Sequence, residues 1–182
     1  MHHFVLTVIA LFVFVSPGFA AVEVGQPLPT NLELLDAKGE QQNFDSIKGE
    51  KGAVVIFVRS ADWCPYCQVQ LLDLRGEDGT PITDLGYSIV TISYDAPDLL
   101  NKFATKYKFD HVMLSDEGSE TIKAFGIFND SFAPDHFAYG VPHPTIYVVS
   151  ADGVVQAVLA EEGHKKRPQA EAILESIRAA GH

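Results

Sequence analysis

The sequence predicts an α/β protein whose mixed β-sheet carries helices on both faces. The continuous apolar run at residues 53–58 is typical of a strand buried on both faces, residues 87–94 form a second predicted buried strand, and a helical segment lies between them. A strand, a helix and a second strand form a right-handed unit with parallel pairing. Closer to the C-terminus, Asp152-Gly153 between two apolar runs indicates a hairpin, whose strands are antiparallel. We therefore expect a mixed sheet.

The strands of this sheet are predicted from apolar segments that are bounded by turn residues. The segment at residues 53–58 is continuous and rich in β-branched residues, and the segment at residues 87–94 is the second predicted buried strand. The last two segments flank the hairpin turn, and two further segments are shorter. In chain order, the predicted strands are residues 31–35, 53–58, 87–94, 111–114, 145–149 and 154–159.

The helices are predicted from apolar residues three or four positions apart, with proline in the first turn or glycine after the last. Gly76 and Gly126 close two of the helices, and Pro97 and Pro168 open the other two. In chain order, the predicted helices run from Cys64 to Gly76, from Pro97 to Tyr107, over residues 119–125 and from Pro168 onward.

Composition excludes several classes of protein. Of the 182 residues, 47% are hydrophobic and 20% are charged, which supplies a buried core and excludes intrinsic disorder. The net charge of −11 disfavours binding to nucleic acids and to anionic membranes. The chain has 2 cysteines, too few for a scaffold held by several disulfides. We expect a fold stabilised by packing and no nucleic acid among its partners.

Residues 1–20 have the pattern of a secretory signal peptide. The apolar run at residues 4–15 is too short to span a bilayer comfortably, and Gly18 and Ala20 place small residues before a cleavage site. An uncleaved anchor is the alternative. We expect cleavage after Ala20 and a single mature domain at residues 21–182, without repeats or linkers. That domain would be periplasmic or secreted, where disulfides persist.

The chemistry is predicted at Trp63-Cys64-Pro65-Tyr66-Cys67, between the first buried strand and the following helix. Pro65 suits the first helical position, which places Cys64 at the helix N-cap and Cys67 one turn further in. Residues three apart on a helix are neighbours, so the two sulfurs can form a disulfide. The helix start favours a Cys64 thiolate, which attacks first, and the more deeply placed Cys67 then resolves the mixed disulfide.

Other uses of this cysteine pair are open. An inert disulfide or two buried thiols would need neither the helix start nor Trp63. Zinc prefers four ligands and the chain has no second cysteine pair, so we expect no structural metal site. Soft thiolates also bind Cu(I), and a copper metallochaperone would use Cys64 and Cys67 with His136 or His143.

The cysteine motif, the run at residues 141–145 and the hairpin together resemble the thioredoxin-like superfamily, in particular its extracytoplasmic redoxin and AhpC/TSA branch. The resemblance covers residues 24–180 and implies a thioredoxin-like fold. It implies that Pro144 is cis, directly precedes the third core strand and packs against the disulfide. His143 then stands beside the disulfide, where it either tunes the Cys64 thiolate or points to solvent.

The same resemblance implies which residues support the site. Trp63, Pro65 and Tyr66 flank the cysteines, and His143, Pro144 and Thr145 form the segment against which a substrate binds. The loop at residues 129–140 leads into this segment and has no periodicity, which is typical of a lid. Its aromatic residues either form an apolar surface for a substrate protein or pack down over the core; they are Phe132, Phe137 and Tyr139.

One departure from the family pattern separates two functions. Peroxidatic members of the AhpC/TSA branch carry Pro-x-x-x-Thr/Ser-x-x-Cys, but here Phe57 and Ala61 occupy the proline and hydroxyl positions, and Ser60 lies one residue away. We therefore expect a thiol–disulfide oxidoreductase that needs no cofactor and acts on protein thiols or disulfides with a redox donor protein. The alternative is a thiol peroxidase, in which a peroxide oxidises Cys64 to a sulfenic acid that condenses with Cys67.

Overall fold

The computed structural model describes residues 21–76, 79–161, 163 and 165–181. The predicted signal peptide at residues 1–20 lies outside this part of the chain. None of the helices within the described residues is long and apolar enough to cross a membrane.

The described residues form a seven-stranded mixed sheet. Its centre is parallel: the two predicted buried strands pair with each other in the same direction, and the second of them pairs in the same direction with a shorter strand. The outer strands are antiparallel. The strands are β1 (Leu34–Asp36), β2 (Gln41–Gln42), β3 (Gly52–Phe57), β4 (Tyr87–Ser93), β5 (Val112–Ser115), β6 (Thr145–Ser150) and β7 (Val155–Ala160). Their order across the sheet is β2-β1-β5-β4-β3-β6-β7.

Strand β3 lies inside the sheet and positions the cysteine motif. All six of its residues are buried, as the continuous apolar run predicts. It pairs parallel to β4 and antiparallel to β6, so that Phe57 at its end lies opposite Ile92 on one side and Thr145 on the other. The motif therefore leaves the sheet where β4 ends and β6 begins.

Helices cover both faces of the sheet, as predicted. The helices are α1 (Phe44–Ile47), α2 (Pro65–Asp73), α3 (Thr80–Asp84), α4 (Pro97–Tyr107), α5 (Glu120–Ala124) and α6 (Ala170–Ala180). One core cluster contains the buried residues of α2, α3, α4 and α6, and a second cluster on the other face contains those of α1 and α5. Alternate residues of β3 point to opposite faces of the sheet, so Val54 and Ile56 belong to the first cluster and Val55 and Phe57 to the second.

Some short elements differ from the prediction. The first strand begins at Leu34 because Leu32, fully buried, has a φ of 51° and turns the chain there. The sequence analysis missed β2, α1 and α3, which are too short to show a periodicity. A signal for α1 was present, since Asn43 and Ser46 form a reciprocal capping box at its start.

The prediction of a cis Pro144 is wrong, because the described residues contain no cis peptide bond. The trans chain makes backbone hydrogen bonds on both sides of the proline. The amide of His143 donates to the carbonyl of Ile127 at 2.7 Å, and Thr145 enters the ladder of β6 directly.

Substitution of Gly52 tests whether the close approach of β3 and β6 requires a glycine. Its φ is +137°, and a Cβ there would overlap the carbonyl oxygen of Val149. We expect Gly52→Ala to lower the free energy of unfolding by about 3 kcal/mol or more, because both backbone strain and steric overlap oppose it. Gly39→Ala is the matched control: its φ is +79°, but no atom lies within 4 Å, and about 1 kcal/mol is expected. Urea denaturation followed by circular dichroism measures both, and equal losses would contradict the steric explanation.

Candidate active site around Cys64 and Cys67

The two cysteines lie at the start of α2, as the sequence predicts. Cys64 is the N-cap residue and Pro65 occupies the first helical turn. The amide of Cys67 donates to Cys64 Sγ at 3.3 Å, and the two residues form a disulfide with a Cα–Cα distance of 5.3 Å. Cys64 is 1% exposed and Cys67 is 0% exposed, so the two cysteines differ little in depth. Both sulfurs are enclosed.

A buried carboxylate, Asp95, fixes the segment that leads to Cys64. Asp95 follows β4, and its Oδ1 accepts from the hydroxyl of Ser60 at 2.8 Å. Its Oδ2 accepts from the amide of Ala61 at 2.7 Å and from the hydroxyl of Ser93 at 2.9 Å. Ser60 Oγ in turn accepts from the amide of Trp63 at 3.2 Å. The hydroxyl of Ser60 therefore orders the backbone.

Burial raises the pKa of Asp95 above the ordinary range of an aspartate, because the ionised carboxylate loses hydration. The hydrogen bonds from Ala61, Ser60 and Ser93 oppose this shift, since they favour the charged form. The carboxylate is tolerated inside the protein because each oxygen has a donor.

Trp63 connects the cysteine motif to the loop at residues 129–140. Its indole Nε1 donates to the hydroxyl of Tyr94 at 2.9 Å, and that hydroxyl donates to the carbonyl of Phe137 at 2.8 Å. The rings of Trp63 and Phe137 pack edge to face with centroids 5.1 Å apart. The position of the loop is thereby coupled to the residue that precedes Cys64.

The loop itself is held together by ring stacking. The His136 ring stacks between Phe132 and Phe137, with centroid distances of 4.9 Å and 4.5 Å. Phe137 is nevertheless 68% exposed, so part of this aromatic cluster faces solvent. The loop therefore combines the two predicted arrangements. Its aromatic residues pack onto Trp63, and part of their apolar surface remains exposed to solvent.

Two arginines lie next to the redox centre. The Arg59 guanidinium is 4.9 Å from the Trp63 ring centroid and 5.5 Å from that of Phe132. Nη2 of Arg167, in the segment before α6, donates to Cys67 Sγ at 3.5 Å. Burial lowers the pKa of both guanidiniums, and the charge of Arg59 lowers that of Arg167 further. Positive charge is thus concentrated at the disulfide of an acidic protein.

The other predicted site residues differ in their exposure and in their hydrogen bonds. Tyr66 is 42% exposed and borders a groove of about 530 Å³ together with Arg167. The side chain of His143 is exposed and makes no hydrogen bond within the described residues, which favours the solvent-facing alternative. Thr145 is buried, and its hydroxyl donates to the carbonyl of His143 at 3.0 Å.

The described part of the chain contains no group of three or more His, Cys, Asp or Glu side chains that could hold a metal ion. The two cysteines form a disulfide there, and the ring nitrogen Nδ1 of His136 accepts from the amide of Ala138 at 3.0 Å.

Comparison with known proteins assigns the family. Residues 24–158 match the sequence model of the AhpC/TSA family, which is most of the chain. The chain belongs to the AhpC/TSA family. The part of the predicted resemblance that concerns an extracytoplasmic branch stays a prediction.

Relatives of this AhpC/TSA protein carry peroxiredoxin names. "Peroxiredoxin Q, chloroplastic" of Populus jackii is 32% identical over 140 residues, which are 77% of this chain and 61% of that protein. "Peroxiredoxin Bcp" of Escherichia coli (strain K12) is 28% identical over 125 residues, 69% of this chain and 78% of that protein. The match spans less than two thirds of the Populus protein.

A solved structure confirms the predicted α/β thioredoxin-like fold of this AhpC/TSA protein. Peroxidoxin BcpB from Mycobacterium tuberculosis matches it with a TM-score of 0.70 and 24% sequence identity, over 86% of this chain and 96% of that one.

The sequence analysis missed several residues of the AhpC/TSA protein's site. Asp95 could have been found, because the carboxyl ends of adjacent parallel strands meet at one edge of a sheet, and Asp95 follows the strand next to β3. Arg167 carried no such signal, since it is 100 residues from Cys67 and lies in a segment without periodicity.

Asp95→Asn tests the carboxylate that orders the cysteine segment. Asparagine has one acceptor oxygen in place of two, so we expect the free energy of unfolding to fall by about 1–3 kcal/mol. The raised pKa of Asp95 means that the folded state binds the proton more tightly than the unfolded state. The wild-type protein should therefore lose stability relative to the variant as the pH rises through the interval between the ordinary and the raised pKa.

Urea denaturation from about pH 4 to about pH 7 measures this difference. Asp84→Asn, at the exposed end of α3, removes the same charge without a buried network and serves as the control. A stability difference that stays constant or grows with pH would contradict the assignment.

Proposed function

We propose that the protein is a thiol peroxidase of the peroxiredoxin type, with Cys64 as the residue that peroxide oxidises and Cys67 as the residue that resolves it. This replaces the oxidoreductase expected from the sequence with the alternative stated beside it. Membership of the AhpC/TSA family and relatives named peroxiredoxins support the proposal. The structural observation that carries it is the enclosed pair at the start of α2, with Cys67 one turn from Cys64 and already bonded to it.

The reaction uses only the two cysteines and external reactants. The Cys64 thiolate attacks the outer oxygen of a peroxide, the O–O bond breaks, and an alcohol or water leaves after taking a proton. Cys64 then carries a sulfenic acid. The Cys67 thiolate attacks this sulfur, the S–S bond forms, and hydroxide leaves as water. A thiol reductant must return both cysteines to the reduced state.

The local structure suits this first step. The positive end of the helix dipole and the amide of Cys67 both favour negative charge on Cys64 Sγ. Peroxidatic relatives have a Thr or Ser hydroxyl three residues before the cysteine, but Ala61 occupies that position here. The neighbouring Ser60 hydroxyl donates its hydrogen bond to Asp95. We therefore assign stabilisation of the Cys64 thiolate to the helix start and the amide of Cys67.

Enclosure of the sulfurs favours a small oxidant over a protein disulfide. Exchange requires the incoming sulfur to approach in line with the S–S bond or with the thiolate. Cys64 is 1% exposed, and Trp63 is tethered to Tyr94 beside it. A peroxide is small enough to enter such a site, whereas a folded partner would need the site to open.

A thiol–disulfide oxidoreductase is the second candidate, and one observation favours it. Two cysteines separated by two residues at a helix start are typical of that chemistry, and here Ala61 supplies no hydroxyl for a peroxide.

Rapid mixing of the reduced protein distinguishes the two functions. Trp63, the 1 tryptophan of the chain, precedes Cys64 and should report its oxidation by fluorescence. We expect hydrogen peroxide to oxidise the protein quickly and a disulfide-bonded protein to do so slowly. In Cys67→Ser, peroxide should leave a Cys64 sulfenic acid that dimedone traps, and Cys64→Ser should be inert to peroxide. Fast reaction with the protein disulfide, and a trapped mixed disulfide in Cys67→Ser, would instead establish the second candidate.

We further propose export through the signal at residues 1–20, on the basis of its apolar run and of Gly18 and Ala20 before the cut. The protein expressed in full in a bacterium with a periplasm should be released by osmotic shock, and N-terminal sequencing should begin at Ala21. Ala20→Arg, which removes the small residue at the cut, should block processing. Retention of Met1 on the wild-type protein would contradict the proposal.

A further inference from the structure

Cys67 Sγ faces a cation although it is fully buried. Burial disfavours a charged sulfur, because a thiolate loses its hydration in the protein interior. The guanidinium of Arg167 donates to this sulfur at 3.5 Å and remains charged under all ordinary conditions. In the disulfide the sulfur is neutral. The electrostatic interaction with Arg167 therefore becomes strong only when Cys67 is released as a thiolate.

Gln70 is a buried amide on the helix that carries Cys67, and it lines the same groove as Arg167. Its side chain is 95% buried, being 5% exposed, and neither its Nε2 nor its Oε1 has a hydrogen-bond partner among the described residues. Gln70 lies three residues after Cys67 on α2, and helical side chains lean towards the preceding turn. The helical spacing therefore places Gln70 on the face of α2 that Cys67 occupies. An unpaired buried amide is unfavourable, and a thiolate on Cys67 would supply the missing acceptor.

We propose that Arg167 and Gln70 stabilise the thiolate of Cys67, and thereby make Cys67 the leaving group when a thiol reductant attacks Cys64. The proposal deepens the proposed function, because it assigns the reductive half of the cycle. The proposal rests on the peroxidase function only in taking peroxide as the oxidant that forms the disulfide. Reduction of that disulfide is a step of both candidate functions.

The step balances with a dithiol as reductant. A thiolate of the dithiol attacks Cys64 Sγ, a new S–S bond forms, and the Cys64–Cys67 bond breaks with its electron pair on Cys67 Sγ. The second thiolate of the dithiol then attacks the dithiol sulfur that is bonded to Cys64, and the Cys64 thiolate is released. The dithiol is oxidised to a disulfide, and the protein gains two electrons.

The surroundings of Cys67 support this direction of cleavage. A leaving thiol departs faster when its negative charge is stabilised. The groove beside Arg167 also contains charged groups of both signs at greater exposure, which water and salt screen. These charged and titratable groups are Lys165, Lys166, Asp73, Glu161 and Tyr66. Arg59, next to the Trp63 ring, is also close enough to Arg167 for its charge to act on it.

The first test isolates Cys67 in the Cys64→Ser background, where no peroxide chemistry is needed. The rate of alkylation by iodoacetamide across pH reports the thiolate fraction of Cys67. Adding Arg167→Gln should move the pH profile upward and slow alkylation near neutral pH by about tenfold. Arg167→Lys should restore part of the rate, because it retains the charge without the planar fork. Arg178→Gln, an exposed arginine on α6, is the control and should change nothing.

The second test follows reduction of the disulfide by dithiothreitol in the otherwise unmodified protein, with Trp63 fluorescence as the signal. Arg167→Gln should slow reduction by roughly three- to tenfold, with a smaller effect on oxidation of Cys64 by hydrogen peroxide. Gln70→Leu fills the same space without polar atoms, so it should slow reduction while raising the thermal stability of the oxidised protein. This variant keeps the test valid if Arg167→Gln folds poorly.

The outcomes separate this inference from the proposed function. Unchanged alkylation profiles and reduction rates in both Arg167→Gln and Gln70→Leu would overturn the role of these residues, whatever the protein does with peroxide. Absence of peroxide reactivity, with slowed reduction in the variants, would overturn the peroxidase and leave the leaving-group role in place.

Discussion

The Asp95 carboxylate joins the carboxyl ends of two neighbouring parallel strands, and the geometry of the cysteine segment depends on it. Every residue of β3 and all but one of β4 are buried, which fixes the register of the two strands and brings Ser60 and Asp95 to the same edge of the sheet. A carboxylate can remain inside the protein there only while its donors stay in place. Loss of one donor would destabilise all the hydrogen bonds of Asp95, so the segment that leads to Cys64 is held rigidly.

Positive charge at the disulfide contrasts with the rest of the molecule. The chain carries a net charge of −11, yet Arg59 and Arg167 lie close to each other and to the cysteine motif. Each pays a desolvation cost, which is visible in its lowered pKa. Stacking of Arg59 on aromatic rings and the hydrogen bond of Arg167 to sulfur offset part of that cost. Such an arrangement suits a centre that becomes negative during its cycle.

Local patterns in the sequence predicted the central strands, the hairpin and the cysteine pair, because burial and spacing are encoded within a few residues of each element. The isomer of Pro144 could not be predicted in this way, since it depends on contacts such as that of His143 with Ile127. Arg167 and Asp95 reach the cysteine segment over 100 and 34 residues, a distance at which no periodic pattern operates. Ala61 lacks a hydroxyl, and this one position led the sequence analysis to predict a thiol–disulfide oxidoreductase. The family relationship of the chain gives better support to a thiol peroxidase.

The disulfide closes a very short loop, with a sequence separation of only 3 residues. The constraint that a cross-link imposes on an unfolded chain increases with the number of residues it encloses, so this bond restricts the unfolded ensemble little. The core clusters on both sides of the sheet, and not the sulfur bridge, therefore carry the stability of the domain. Breaking the bridge removes little of what stabilises the domain, so the chemistry of the cysteine pair can be confined to one turn of a helix.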